Sequence, residues 1–195
     1  MATPLVDIVV KLGGSVLADV EHFASSIDLI AAAARHRRLL VVPGGGPFAD
    51  AVREWDTRLR LTDDAAHWMA VLAMDQYAHV VIDRLHHGVL VFDASDAADA
   101  LDGGRVPVLA PSRWLRDADP LPHSWAVTSD SIAAWIAGQV GARRLILIKP
   151  AGSDDRERLA QSVVDAHFAQ TIPDGVRVDI VAADRIDTLR AALES

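Results

Sequence analysis

Short apolar runs alternate along the 195-residue chain with longer stretches in which apolar side chains recur every three or four positions. A continuous apolar run is typical of a buried strand, and the three-to-four spacing is typical of a helix with one buried face. The runs predict strands at residues 7–12, 38–47 (stopped by Pro43), 88–95, 106–111, 143–153 and 176–184. The spaced stretches predict helices at residues 21–37, 47–55, 62–87, 129–139 and 184–193, with a loop at 112–125.

Strands and helices that alternate in this way are typical of an α/β protein whose mostly parallel sheet is sandwiched by helices. No repeat or linker interrupts the pattern, so we expect one domain over residues 1–195. In such sheets ligands bind beyond the carboxyl ends of the strands. The predicted strand ends are rich in glycine, lysine and small polar residues, at 11–15, 44–46, 93–95 and 149–153. This clustering is the main functional signal in the sequence.

Charge and composition narrow the classes of function. The formal net charge is −8, whereas a protein that binds a nucleic-acid backbone normally presents a basic face, so we expect no nucleic-acid partner. No apolar run approaches the roughly 20 residues that a membrane-spanning helix needs, and the first residues lack the basic start of an export signal. The chain has no cysteine, which excludes disulfides and thiolate metal sites and fits a cytoplasmic protein.

Gly13 and Gly14 directly follow the first predicted strand. Residues without a side chain let backbone amides approach a phosphate, and a φ above zero there forms an anion-binding nest. Gly44 to Gly46 can form a second cradle of the same kind, with the start of a helix behind it, and Lys11 would place a positive charge between the two loops. Two anion cradles with a lysine between them suit phosphoryl transfer, in which a protein mainly positions the reactants and neutralises charge. The alternative is that the glycines only make tight strand-to-helix turns.

Asp130 lies where a helix begins, in the segment VTSDSIAAWIA. The ordinary role of Asp130 or Ser129 at such a position is the N-cap. The functional alternative is that Asp130 faces the site and fixes Lys11 and Lys149. The histidines form no evident metal-binding pair, and the Asp-rich segment 93–104 favours a solvated helix over a metal loop. The sequence therefore predicts no dedicated metal site.

Three segments together, VVKLGGSVL, LLVVPGGGP and VTSDSIAAWIA, resemble the amino acid kinase family in their order and spacing. The family includes acetylglutamate, aspartate, uridylate and isopentenyl phosphate kinases. The segments DDAAHWMAVLAMDQYA and LPHSWAVTSDSIAAWIA look most like a small archaeal and methylotroph branch. The activity of that branch is phosphorylation of an aminomethyl-furanmethanol phosphate to the diphosphate, in methanofuran-type cofactor biosynthesis. The resemblance covers residues 7–149 and implies an amino acid kinase-like three-layer fold.

The resemblance also implies roles for individual residues. It implies an ATP-dependent kinase with a phosphate or carboxylate acceptor, with Mg²⁺ accompanying the nucleotide. From the apolar residues of the predicted helix at 62–87 we also expect a homodimer or higher homo-oligomer. The resemblance assigns Lys11 to the transferred phosphoryl group and Asp130 to organising the lysines. It assigns the donor phosphates to Gly13, Gly14 and Ser15. The family's second lysine is not visible in this sequence, and we expect Lys149 to take its place at the donor phosphates. The resemblance assigns the acceptor to Gly44, Gly45, His67, Trp125 and Ser129.

The sequence departs from the family after the fifth predicted strand. Most members carry a Thr/Asp-Val-Asp-Gly segment there, whereas this chain reads IKPAGSDD and has no lysine after Lys149. An acceptor-binding part would span about residues 1–125, and a shortened nucleotide-binding part about 126–195. Two alternatives therefore stay open, namely a non-catalytic binding protein of the same fold and a nucleoside monophosphate (UMP-type) kinase. His67 could equally be a packed core histidine, and helix 62–87 could bury its apolar residues on its own sheet rather than in a dimer.

Overall fold

The computed structural model describes residues 5–153 and 164–195. Within them, six strands form one sheet in the order β3-β4-β2-β1-β5-β6, and every neighbouring pair is parallel. The strands are β1 Ile8–Leu12, β2 Leu39–Pro43, β3 Gly88–Val91, β4 Val106–Leu109, β5 Arg144–Lys149 and β6 Arg177–Ala182. The predicted parallel sheet is confirmed.

Helices connect the strands throughout the described part of the chain. They are α1 Val20–Ala33, α2 Gly46–Leu59, α3 Asp63–Arg84, α4 Ala94–Asp102, α5 Ser112–Ala118, α6 Ser129–Gln139, α7 Phe168–Thr171 and α8 Ile186–Glu194, with a 3-10 turn at Gly14–Ala18. None of these helices is long and apolar enough to cross a membrane.

Both faces of the sheet are covered because its central strands are apolar on both sides. On one face, the even-numbered residues of β1 pack with α1, α8 and the second half of α3. On the other face, Val9 of β1 and its neighbours on β2 and β5 pack against α6 and the first half of α3. The resulting three layers confirm the predicted amino acid kinase-like architecture, and they leave the carboxyl ends of the strands as the open edge.

Strand β1 lies in the middle of the sheet, between β2 and β5. In the register of the sheet, Lys11 lies beside Val42 on one side and Leu147 on the other. Leu12 is paired with Pro43 and Ile148 at the last position of each ladder. The loops that leave β1, β2 and β5 therefore begin at the same level and meet above the middle of the sheet.

Several predictions about local structure are wrong, and among them α1 ends at Ala33 rather than at residue 37. Residues 112–125 are not all loop, because α5 occupies their first half. Its Leu115 is buried, Trp114 packs against Trp135 with ring centroids 5.4 Å apart, and the amide of Ser112 donates to Asp75 over 3.1 Å. These contacts with distant residues stabilise a helix that the local composition does not indicate. Helix α2 also runs past the predicted end at residue 55 and stops at Leu59, where a left-handed Arg60 follows.

Helix α3 begins as predicted, since the side chain of its N-cap Thr62 accepts a hydrogen bond from the amide of Ala65. Tyr77 is buried against the sheet of its own chain, as one of the two open alternatives predicts. Met69 and Leu72 on the same helix are exposed by 39% and 45%. The homo-oligomer stays a prediction.

Candidate active site

Strand geometry places two lysines side by side at the open edge of the sheet. Side chains alternate between the faces of a strand, so Lys11 shares a face with Val9 on β1, and Lys149 shares that face with Leu147 on β5. Lys11 and Lys149 are also the only lysines in the chain, whose other basic residues are arginines and histidines. Both are almost fully buried, with exposures of 4% and 7%. A buried lysine is costly unless an anion accompanies it.

Asp130 supplies that anion from the first turn of α6. Lys149 Nζ donates to Oδ2 of Asp130 over 2.6 Å, and Lys11 Nζ lies 2.9 Å from Oδ1. The Lys11 contact is close enough for an ion pair but lies outside hydrogen-bond geometry, so Oδ1 accepts no aligned bond from the described residues. The N-cap of α6 is Thr128, whose hydroxyl faces the amide of Asp130 at 3.4 Å. The prediction of Ser129 or Asp130 as N-cap is therefore wrong, and the functional alternative for Asp130 agrees with the geometry.

The charges of this triad depend on one another. Burial alone would raise the pKa of Asp130, but the positive charges of Lys11 and Lys149 outweigh it and hold that pKa below its ordinary value. Burial, and then the charge of Lys11, lowers the pKa of Lys149 to about 8, while Asp130 opposes the change. At neutral pH the carboxylate is thus ionised, and Lys149 is a cation that is within reach of deprotonation.

The glycines of the two loops let their backbones touch. A Cβ on Gly14 would lie 2.5 Å from the Cα of Gly46, and one on Gly44 would lie 2.7 Å from the amide nitrogen of Gly14. Gly46 has a φ of +55°, which favours glycine, whereas Gly13 has a φ of −58°. Gly14, Gly44 and Gly45 are not among the described residues that have a positive φ. The predicted positive-φ nest at Gly13 and Gly14 is therefore wrong, and close packing of the loops is what requires Gly14 and Gly44.

Two cavities adjoin at Lys11 and Lys149. The first, here called the α2–α3 cavity, has a volume of about 180 Å³ and is bounded by α2, α3, the first turn of α6 and the segment before α6. The second, here called the β1–β5 cavity, has a volume of about 260 Å³ and is lined by Lys11, Gly13, Gly14, Ser15, Lys149, Pro150 and Ser153. Both lysines line both cavities, so a group that passes from one to the other meets them.

One wall of the α2–α3 cavity carries a basic residue that the sequence analysis missed. The guanidinium of Arg53 lies 4.7 Å from the ring centroid of Trp125 and pairs with Asp50 at 3.0 Å. The indole nitrogen of Trp125 donates to Asp56 over 2.7 Å, which fixes the ring on which Arg53 stacks. Arg53 lies two helical turns beyond Gly46 on α2, and this spacing is the signal that could have placed it on the face of the glycine loop.

Another part of the cavity wall is formed by the first two turns of α3. Asp63 and His67, four residues apart, both line the cavity. His67 stacks on His123 with ring centroids 4.2 Å apart, and His123 is held between Asp64 and Asp119 at 2.8 Å each. Burial, and then the neighbouring His123, lowers the pKa of His67. Burial would also lower the pKa of His123, but its hydrogen bonds to the two aspartates raise that pKa above its ordinary value.

Most of the predicted site residues meet at these cavities. Lys11, Gly14, Ser15 and Lys149 line both, and Gly13 lines the β1–β5 cavity only. Asp130 lines the α2–α3 cavity, together with Gly45, His67, Trp125 and Ser129. Gly44 lines neither, because it is covered by Gly14 and the hydroxyl of Ser129. Their functional roles stay predictions. Across residues 5–153 and 164–195, no group of three or more His, Asp or Glu side chains is arranged to hold a metal ion.

Comparison with known proteins extends the resemblance seen in the sequence. The profile of the amino acid kinase family matches residues 8–151. A [5-(aminomethyl)furan-3-yl]methyl phosphate kinase from Methanocaldococcus jannaschii is 29% identical over 140 residues, which cover 71% of this chain. The alignment spans 63% of the length of that relative.

Solved structures support the fold. A uridylate kinase from Archaeoglobus fulgidus superposes with a TM-score of 0.73 at 18% identity, over 97% of this chain and 96% of its own. A UMP kinase from Ureaplasma parvum superposes with a TM-score of 0.65 at 14% identity, over 93% and 91%. Identities this low bear on the fold alone.

Proposed function

Because the chain belongs to the amino acid kinase family, we propose that it is an ATP-dependent kinase that transfers the γ-phosphoryl group to a phosphate acceptor. One observation carries the proposal. The only two lysines of the chain contact the two oxygens of one buried carboxylate, and both lysines line the α2–α3 and the β1–β5 cavity. Phosphoryl transfer requires positive charge at the point where donor and acceptor meet.

In this assignment the donor occupies the β1–β5 cavity and the acceptor the α2–α3 cavity. An ionised oxygen of the acceptor attacks the γ-phosphorus while the bond to the β-phosphate oxygen breaks, and ADP leaves with that electron pair. An ionised acceptor has no proton to lose, so the reaction needs no general base. The charge of Lys11 is the better placed to follow the phosphoryl group, because its contact with Asp130 is an unaligned ion pair rather than a hydrogen bond.

The residues of the β1–β5 cavity fit a polyphosphate. Two cations and the start of the 3-10 turn at Gly14–Ala18 converge there. The nearest buried carboxylate, Asp130, is engaged by both lysines, so Mg²⁺ would be held chiefly by the phosphates of ATP. Bound in that way, the metal neutralises part of the charge of the nucleotide.

The α2–α3 cavity fits a phosphate monoester. Helix α2 begins at this cavity, and its N-cap residue is Gly45. Gly45 has no side chain that could accept hydrogen bonds from the first amides of the helix. A helix N-terminus of this kind favours an anion, and Arg53 stands on the same wall. The acceptor phosphate would therefore bind between α2 and Lys11.

The α3 wall supports an acceptor with an amine at its other end. Asp63 makes no hydrogen bond or ion pair with the other described residues, and His67 has a lowered pKa that keeps it neutral. A free carboxylate and a neutral imidazole can both accept hydrogen bonds from an ammonium group. We therefore propose [5-(aminomethyl)furan-3-yl]methyl phosphate, the substrate in the name of the Methanocaldococcus relative, as the acceptor.

Calorimetry and an acceptor panel test the proposal. ATP with Mg²⁺ should bind the wild-type protein, and ADP release should be fastest with the aminomethylfuran phosphate. No detectable heat at millimolar ATP would contradict the kinase and favour a non-catalytic binding protein. Faster turnover of UMP than of the furan phosphate would retain the kinase and contradict the proposed acceptor.

A further inference from the structure

A carboxylate from outside the family-matched residues 8–151 holds the helix that carries Asp130. Oδ2 of Asp165 accepts hydrogen bonds from the amide and hydroxyl of Thr128 at 2.9 and 2.8 Å, and from the amide of Ser131 at 3.0 Å. Oδ1 accepts from the hydroxyl of Ser131 and, at 3.1 Å, from the amide of His167. This one side chain therefore receives five donors, four of them from the first turn of α6.

The contacts of Asp165 bracket Asp130 along the chain. Thr128 precedes Asp130 by two residues and Ser131 follows it directly, and both are bound to the same carboxylate. Neither flanking residue can shift along α6 without breaking these bonds. The position of Asp130 relative to Lys11 and Lys149 is thus fixed from a segment that lies 34–37 residues further along the chain.

Asp165 also completes the charge balance around Lys149. The charged groups that face Lys149 are Lys11 from β1, Asp130 from α6, and Asp165 from the segment before α7. Two carboxylates thus accompany the two lysines. The negative charge of Asp165 acts to raise the pKa of Lys149, in the direction opposite to burial.

A carboxylate at a helix N-terminus stabilises any helix, so stability alone is the plainer explanation of Asp165. Stability alone does not account for the position of Asp165, because four of its five donors belong to Thr128 and Ser131, which lie on either side of Asp130. We propose that Asp165 is a positioning residue of this site, which holds the first turn of α6 so that Asp130 stays between Lys11 and Lys149. Its part in phosphoryl transfer rests on the proposed function.

The experiment uses the two lysines as reporters. Protein labelled with ¹³C at lysine Cε gives two side-chain signals, which Lys149→Arg assigns. These are titrated in the wild type, in Asp165→Asn and in Ser131→Ala, while steady-state rates are measured with ATP and the furan phosphate. Ser131→Ala is the matched control, because it removes a hydrogen bond to Asp165 without removing a charge.

In Asp165→Asn we expect the Lys149 signal to titrate at lower pH than in the wild type, and kcat to fall by about tenfold or more, since small misplacements are costly at such sites. At a pH well below the Lys149 titration of both proteins, the KM for ATP should change little. In Ser131→Ala the melting temperature should fall while the Lys149 titration stays in place. Asp165→Glu keeps the negative charge, so the Lys149 titration should stay in place. Its longer side chain should displace the first turn of α6 and lower kcat. This variant replaces Asp165→Asn in the test if Asp165→Asn does not fold.

A purely structural cap predicts a different result. If Asp165→Asn lowers only the melting temperature, and leaves both kcat and the Lys149 titration as in the wild type, the proposal is wrong. The outcome is separable from that of the proposed function. If the wild-type protein transfers no phosphoryl group, the proposed kinase is wrong. If Asp165→Asn nevertheless displaces the Lys149 titration, the positioning role of Asp165 is retained.

Discussion

Lys149 Nζ lies 2.6 Å from Oδ2 of Asp130, in an ion pair from which solvent is almost excluded. Burial and the charge of Lys11 lower the pKa of Lys149 to about 8, well below that of a free lysine. Lys149, which would face the donor phosphates, is therefore protonated at neutral pH. It loses its proton within the pH range that an enzyme assay can cover.

The pH dependence of the rate follows from this pKa. If transfer needs Lys149 as a cation, kcat/KM, which reports groups of the protein without bound substrate, should fall by about tenfold for each pH unit above the Lys149 pKa of about 8. Lys149→Arg keeps its charge over the whole range, so it should be slower but should lack this fall. A wild-type kcat/KM that stays level between pH 7 and 9.5 would show that the charge of Lys149 is not required.

Stability should change in the opposite direction over the same range. The folded-state pKa of Lys149 is depressed, so above about pH 8 the unfolded chain binds more protons at this residue than the folded chain. The contribution of Lys149 to the free energy of unfolding should therefore rise from about pH 8 to about pH 10.4, the pKa of a free lysine. Denaturant melts that compare the wild type with Lys149→Met measure this contribution, and they separate loss of the cation from unfolding.

Asp130→Asn should damage both stability and activity. It leaves two buried lysines without their carboxylate, and breaking a buried ion pair typically costs about 3–5 kcal/mol. Transfer should fall to the background rate, because the lysines lose their common anchor. Chemical denaturation and single-turnover assays measure the two effects. A variant as stable as the wild type, with unchanged rates, would remove Asp130 from its assigned role.

Gly14→Ala tests why the loop glycines are present. Its methyl group would overlap the backbone of Gly46, and overpacking of this kind costs about 1–3 kcal/mol. Gly103→Ala is the matched control, because Gly103 ends α4 with an ordinary φ of −80° and its added Cβ would meet nothing closer than 3.3 Å. If both variants unfold at the same denaturant concentration as the wild type, the close approach of the two loops is not what requires Gly14.

Asp63→Asn tests the proposed amine end of the acceptor. The KM for the aminomethyl acceptor should rise by about two- to fivefold, the upper part of the range expected for one exposed charged contact. The KM for an analogue with a hydroxymethyl group in place of the aminomethyl group should stay constant. Asp187→Asn is the control, because Asp187 occupies the first turn of α8 and lines neither cavity. An equal rise for both acceptors would argue against recognition of the amine.

The sheet and the outline of the site could be predicted from the sequence because their signals are local. Apolar runs predict the strands. A lysine at the end of such a run must meet an anion or solvent, and this requirement identifies Lys11 and Lys149 as candidates. Glycine after a strand indicated two tight loops. The same local signals gave the wrong backbone conformation for Gly13 and Gly14, since glycine also serves close packing without a positive φ.

The rest depends on contacts between residues distant in the chain. Thr128, rather than Ser129 or Asp130, is the N-cap of α6, and Asp165 completes that cap from 37 residues away. Helix α5 forms because Trp114 and Leu115 find partners in the core. The spacing of Arg53 from Gly46 indicates its helix face, but its stacking on Trp125 joins residues far apart in the chain. Sequence spacing reports the period of an element, and it carries no information on what packs against that element.

The most direct test of the central claim follows the phosphorus itself. Wild-type protein is incubated with ATP, Mg²⁺ and the furan phosphate, and the products are followed by ³¹P NMR beside Lys11→Ala and Arg84→Ala. Arg84 is an exposed cation that lines neither cavity. We predict ADP and the paired signals of an organic diphosphate for the wild type and Arg84→Ala, and a rate lower by about 10²–10³ for Lys11→Ala. Diphosphate formation by Lys11→Ala at the wild-type rate would contradict the account.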